Sequence, residues 1–165
     1  MAFNGIIDVV KGDDLTSFST LPLYSPGAEH FSSGNKYVYV YNAAANSVIG
    51  SGKYCVLDKN GGTSFTSGYS VTVTNASLAG VMFGVAQNTI NTGTYGWVMV
   101  RGVSLIALDS GEVSMNAGVD LALGTDGGFV AAGATFSTAP RFGFTINSAV
   151  TAGTGKGRIF GGVMG

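Results

Sequence analysis

The sequence predicts an all-β fold: a small β-barrel or sandwich of about ten short antiparallel strands with an extended N-terminal arm. Three observations predict it. Apolar and polar residues alternate at period two in several runs, and helical periodicity is almost absent. Gly, Asn and Asp turn signals recur between the runs at roughly the spacing of a sandwich or barrel. The 165 residues divide into an arm, residues 1–33, and one domain, residues 34–165. A chain of this length buries about 70% of its unfolded surface, so it needs no disulfide or metal to hold a core.

The arm comes first. Residues 4–11 contain the apolar cluster Ile6, Ile7, Val9 and Val10, whereas residues 13–31 show no clear period and hold Pro22 and Pro26. Such a stretch runs along a surface, either that of another subunit or, as an edge strand plus loop, that of its own domain. Residues 36–41 read K-Y-V-Y-V-Y, with Tyr37, Tyr39 and Tyr41 on one face and valines on the other. Residues 53–58 form the next strand, led out by Asn60-Gly61-Gly62. In residues 69–74, Tyr69, Val71 and Val73 face the core and hydroxyls face outward. Strands then follow at 94–103, 103–108, 112–115, 119–123, 129–132 and 141–146. Asp109-Ser110-Gly111 and Asp126-Gly127-Gly128 supply the turns between neighbours, since Gly adopts positive φ freely and Asn or Asp tolerates it. Residues 76–78 and 147–150 each read as one helical turn at most. The strands cover residues 37–163.

Composition narrows the function. Charged residues are 10% of the chain, against about 25% in an average soluble domain, and hydrophobic residues are 45%. Disorder needs the opposite balance. A surface built from Ser, Thr, Asn and Gly is common in proteins that live packed in assemblies. The formal net charge is −1 and the eight Lys and Arg are scattered along the sequence, which leaves no run to neutralise a row of phosphates, so no nucleic-acid partner is expected. Residues 60–100 carry no charge, but polar residues interrupt them throughout. With no stretch of about 20 apolar residues and no signal peptide, the chain reads as soluble, without a membrane partner.

Catalytic and metal-binding readings lack material. His30 is the single histidine and Cys55 the single cysteine, and no G-x-S-x-G elbow accompanies them. Cys55 lies in a strand run and reads as a small buried apolar residue. No C-x-x-C or H-E-x-x-H exists for zinc, and Asp58-Lys59-Asn60-Gly61 lacks the remaining ligands of a calcium loop. Residues 151–157 approach a phosphate loop, but Val150 stands where its first Gly belongs and Gly157 replaces its hydroxyl residue, so they read as a β–β linker. Of two Glu and seven Asp, Asp109 and Glu112 are the pair best placed for glycosidase chemistry, although turn carboxylates are usually just solvated. Asn75-Ala76-Ser77 matches a glycosylation sequon of the sort chance supplies. No catalytic residue, cofactor or metal is assigned. The tyrosine stripe Tyr37, Tyr39, Tyr41 is either core or a surface for carbohydrate or another chain.

Residues Phe83-Gly84-Val85-Ala86-Gln87-Asn88 and the strand from Gly93 through Tyr95-Gly96-Trp97-Val98-Met99-Val100-Arg101-Gly102-Val103 resemble the barrel hairpin of small β-barrel decoration (cement) proteins on tailed-bacteriophage capsids. Residues 118–123 and 127–132 resemble that family's next hairpin. Trp97 and Met99 fall on one side of their strand and Val98 and Val100 on the other, and Gly102 permits the bend a small barrel needs. The resemblance spans residues 34–132. It implies a structural virion protein on the outer capsid surface, a homotrimer whose partner is the major capsid protein, with no catalytic residues. Phe3, Ile6, Ile7, Val9 and Val10 of the arm, with Tyr37, Tyr39 and Tyr41, are then the expected interface. The alternative is a phage tail or receptor-binding module that recognises a host glycan through exposed tyrosines.

Overall fold

The computed structural model describes residue 15 and residues 18–43, 47–57, 69–72, 82–112, 114–131, 142–146, 149–151 and 155–160. Among them lie twelve strands: β1 (Glu29–Ser32), β2 (Asn35–Asn42), β3 (Tyr54–Leu57), β4 (Ser70–Thr72), β5 (Met82–Ala86), β6 (Thr94–Ile106), β7 (Ser114–Asn116), β8 (Asp120–Leu123), β9 (Phe129–Ala131), β10 (Gly143–Thr145), β11 (Ala149–Thr151) and β12 (Gly155–Ile159). Ten form one sheet in the order β1-β2-β4-β3-β5-β6-β12-β10-β8-β9, and β7 pairs with β11 apart from it. A further pairing of β2 with β6 closes β2-β4-β3-β5-β6 into a five-stranded barrel. The chain is all-β, as its alternation predicts.

An odd number of strands cannot close with every neighbour antiparallel, because direction would have to alternate around a ring of five. One pair must run parallel. It is β2–β4, with Tyr41 opposite Ser70 and Asn42 opposite Val71. The expectation of purely antiparallel strands is corrected there.

The closed sheet separates two cores. Val38 and Val40 of β2, Cys55 of β3, Val71 of β4, Ala86 of β5 and Val98 of β6 cluster with Ile49 and Ile90 inside the barrel. All are small or β-branched, as a narrow lumen requires. The opposite faces of the same strands carry Tyr37, Tyr39, Tyr54, Val56, Val85, Trp97 and Met99. These join Ile106, Leu108, Leu121, Phe129, Phe142 and Ile159 in a second, larger core. Strands β2 and β6 are thus buried on both faces, which is why their apolar runs are nearly continuous.

At 13 residues, β6 merges the two runs read at 94–103 and 103–108. Its first half is barrel wall; its second half pairs with β12, residues 102–106 against 155–159. The chain turns between these roles at Gly102, whose φ of +131° suits only glycine. A Cβ there would overlap the Asn35 side-chain amide. That amide is already committed: its Oδ1 accepts the Val103 N–H at 2.9 Å and its Nδ2 donates to the Tyr37 hydroxyl at 3.1 Å.

Several expectations need correction. A boundary after residue 33 runs through the tip of a hairpin, because β1 pairs with β2 from Glu29–Val38 to Ser32–Asn35. Ser33 and Gly34 both have positive φ, 50° and 78°, the two-residue turn that suits twisted hairpins. Residues 18–32 therefore belong to the domain, as edge strand plus loop; residues 1–14 lie outside the described residues. Residues 147–150 were expected to make a helical turn, but 149–151 are strand β11, paired with β7. The linker read at 151–157 contains the start of β12. That strand, G-K-G-R-I, escapes a propensity reading because two of its three inward positions are Gly155 and Gly157, the third being Ile159. Packing explains the choice: a Cβ on Gly157 would crowd Ile106 and Leu121. Tyr69 stays partly exposed instead of entering the core, with its ring 6.1 Å from that of Phe83. Val73, the turn at 60–62 and residues 76–78 lie outside the described residues.

Gly102→Val should cost about 3 kcal/mol or more, since it combines a disfavoured φ with a backbone-level overlap. Urea denaturation measures this, and a loss below 1 kcal/mol would contradict the bend assigned here.

Candidate interaction surface

The residues that sequence reading placed nearest to catalysis are engaged in structure. Cys55 is fully buried in the lumen, with its Sγ 3.5 Å from the Gly84 carbonyl. Burial pushes its thiol up to about 12, the direction opposite to an activated nucleophile. His30 stands on the other side of the barrel wall, its ring 6.1 Å from Trp97 and 6.4 Å from Tyr37. The two cannot form a Cys–His pair.

Asp109 and Glu112 are both spent on backbone. Asp109 Oδ1 accepts the Gly111 N–H at 3.1 Å, and its Oδ2 accepts the N–H groups of Thr125 and Asp126 at 2.6 and 3.1 Å. Glu112 Oε2 accepts the Ala131 N–H at 3.2 Å. Burial by itself would raise the Asp109 pKa, but the N–H donors of Gly111, Asp126 and Thr125 together outweigh it and hold the carboxyl below its ordinary value. Asp126 completes the clasp: its Oδ1 accepts from Gly128 at 2.9 Å, and Lys53 Nζ donates to its carbonyl at 2.7 Å. The two turns read at 109–111 and 126–128 therefore meet as one knot. Among the described residues, no group of three His, Cys, Asp or Glu could hold a metal, and no helix is long and apolar enough to cross a membrane.

Of the expected interface residues, Phe3, Ile6, Ile7, Val9 and Val10 lie outside the described residues. Tyr37 and Tyr39 are buried in the chain's own core, so the interface reading of the stripe is corrected at both. Tyr39 packs edge-on against Tyr24 with ring centroids 5.3 Å apart, and lies 5.0 Å from Trp97. Its hydroxyl accepts the Leu23 N–H at 3.3 Å. Tyr41 is half-buried against Tyr95.

What remains open to a partner lies elsewhere. Phe18, Leu21, Leu23 and Phe31 are all exposed within 14 residues of the segment before the barrel, Leu21 at 71% and Phe31 at 69%. Phe31 continues into a row that crosses β1, β2, β6 and β12. Cross-strand partners project from the same face of a sheet. Phe31 is registered with Lys36, and Lys36 with Arg101; on the next ladder Arg158 is registered with Val103, two residues along β6 from Arg101. Phe160, 57% exposed, follows at the end of β12. These residues line a groove of about 420 Å³ over Gly102 and the Ser33–Gly34 turn.

Three of the chain's eight cations therefore gather in one place. They are far apart along the chain, and only the ladder β1-β2-β6-β12 joins them. The register on β2–β6 slips between Lys36 and Tyr37, passing over Val100. That irregularity sets Lys36 opposite Arg101, an unfavourable like-charge pair. Glu29 answers Lys36 at 2.6 Å, and the Lys36 ammonium lies 5.6 Å from the Phe31 ring centroid. Among the described residues, Arg101 and Arg158 have no carboxylate within ion-pair distance.

No protein-family model matches the chain, and no curated protein is detectably similar to it. Among solved structures, the fold is similar to the N base of the head fiber protein gp8.5 of bacteriophage phi29. The TM-score is 0.53 at 14% identity, covering 74% of this chain and 93% of that one. At this identity the likeness is one of fold.

Asp109→Ala should lose about 1–3 kcal/mol at pH 7, because three partly buried N–H···O bonds lose their acceptor. Since the folded carboxyl titrates below its unfolded value of about 4, its contribution is complete above about pH 4 and disappears as pH falls through the folded pKa. Denaturation curves at pH 7 and pH 3 should thus show a smaller acid loss in the variant than in the wild type. Equal acid losses would refute the carboxylate clasp.

Proposed function

We propose that this chain is a structural protein of a tailed-phage virion, a decoration protein that seats on the outer capsid surface and binds the major capsid protein. The observation that carries the reading is the barrel-plus-sheet architecture shared with a protein named for its place on a phage head. The composition agrees, since a chain with 10% charged residues leaves a surface fitted to packing rather than to free solution. So does the face of Phe31, Arg101, Arg158 and Phe160: aromatic and Arg side chains are the residue types that anchor protein interfaces.

In this role the chain makes and breaks no bonds. Each copy contributes a modest contact, and repetition over a lattice turns many such contacts into firm attachment. Association of the copies, as homotrimers, would bring several contacts to bear at once. A second reading, the base of a head fiber, is favoured by the 93% of the phi29 base domain that the fold covers. Glycan recognition loses its support at Tyr37 and Tyr39, which are buried.

The test mixes the purified chain with phage heads built of the matching major capsid protein and lacking it. Co-sedimentation at a fixed copy number and a higher heat-disruption temperature of the heads are expected, with no adsorption to host cells. A chain that stays in the supernatant, or that binds host glycans instead, would sink the proposal. Leu21→Ala with Leu23→Ala should weaken head binding about tenfold or more, because exposed apolar side chains outside the Arg101–Arg158 groove supply contact area to a partner. The same pair should shift folding stability by less than about 1 kcal/mol, both side chains being mostly in solvent.

A further inference from the structure

The groove between β1, β2, β6 and β12 has a charge that the described chain leaves unanswered, and a shape that suits a short segment. At about 420 Å³ it is the size of a small-ligand or short-peptide pocket. Arg101, Arg158, Phe31 and Phe160, all exposed, are among the residues that line it. An occupant must therefore pair carboxylates with apolar side chains at close spacing. A polyphosphate supplies no apolar part, and three cations, one of them already held by Glu29, are too few to track a nucleic-acid backbone.

The chain's own carboxylates narrow the choice. Glu29, Asp109, Glu112 and Asp126 each have partners within the fold, and Asp120 is engaged as well. The other four are Asp8, Asp13, Asp14 and Asp58, and three of these fall in the first 14 residues. There they stand among Phe3, Ile6, Ile7, Val9 and Val10, with Lys11 the only basic side chain. This segment has the composition that the groove demands.

The geometry points to copy-to-copy docking: residues 1–14 of one chain seat in the Arg101–Arg158 groove of a second. The carboxylates of the segment meet the guanidinium groups, whose planar forks bind carboxylate in two-point fashion. The aliphatic side chains cover Phe31 and Phe160. The seated carboxylates also relieve the like-charge opposition of Lys36 and Arg101 that the β6 irregularity creates. That the donor is a second copy rests on the adhesive reading above.

A charge swap in the full-length chain tests this. Sedimentation equilibrium of the wild type at low salt should show self-association, weakened severalfold when salt reaches 0.5 M, where screening shortens to a few ångströms. Arg101→Glu with Arg158→Glu should weaken it about tenfold or more, and so should Asp8→Lys with Asp13→Lys and Asp14→Lys. Mixing the two variants should restore association to within a few-fold of wild type, because each then supplies the half the other lacks; a merely structural defect would not be rescued by mixing. A wild-type chain that stays monomeric at all concentrations overturns the inference, as does loss in the Arg variant with none in the Asp variant. Head binding is scored separately on the wild type, so failure of the capsid reading and failure of the docking remain distinguishable.

Discussion

The pairing of β2 with β6 is the constraint on which the rest of this structure depends. Seven residue pairs, from Lys36–Arg101 to Asn42–Thr94, hold the two strands together. Without them the ten-stranded sheet would have no barrel. With them, Val38, Val40 and Val98 line a closed lumen while Tyr39, Trp97 and Met99 form the floor of the second core. Each such side chain contributes about 1.5–3 kcal/mol on burial, and here one pair of strands buries both of its faces at once. Strands β12, β10, β8 and β9 extend from the far half of β6 as a sheet that the outer core supports.

Because charges are scarce, polar side chains do the tying that ion pairs perform elsewhere. The described residues contain two ion pairs, Glu29–Lys36 and Lys53–Asp126. Against these stand Asn42, fully buried, whose Nδ2 donates to the carbonyls of Ser47 and Ile90 at 3.0 Å each, and the Asp109 knot. Asn35 belongs to the same class, joining the β1–β2 turn to the bend in β6. Short polar side chains satisfy loop backbone at little cost in rotamer entropy. Among the described residues, Arg101 and Arg158 stand at the surface without a carboxylate partner.

That economy gives the groove its meaning. Lys36, Arg101 and Arg158 stand on the ordered ladders of four adjacent strands, so their spacing is set by the sheet rather than by loops. A rigid platform loses little freedom when a partner lands on it. Of the exposed apolar side chains of residues 18–31, Phe31 lines the groove, while Phe18, Leu21 and Leu23 lie outside its lining. Adhesion and folding thus share one scaffold: the strands that close the barrel also hold out the residues that would grip a neighbour.

The alternation of residues 36–41 and 94–103, the glycine turns and the scarcity of charge were enough to determine an all-β chain and most of its strands. Local chemistry carries that information, since a strand's two faces are written at period two. Two strands escaped: β12 carries glycine at two of its three inward positions, and β11 is three residues long. β1, in a stretch without period, is one of the two readings left open there. The parallel β2–β4 pair, the gathering of three distant cations and the burial of Tyr37 and Tyr39 were decided by the tertiary structure alone. Each follows from ring closure and from which strands become neighbours, and neighbours that lie tens of residues apart, as Tyr41 and Ser70 or Lys36 and Arg101 do, leave no periodic trace in the chain.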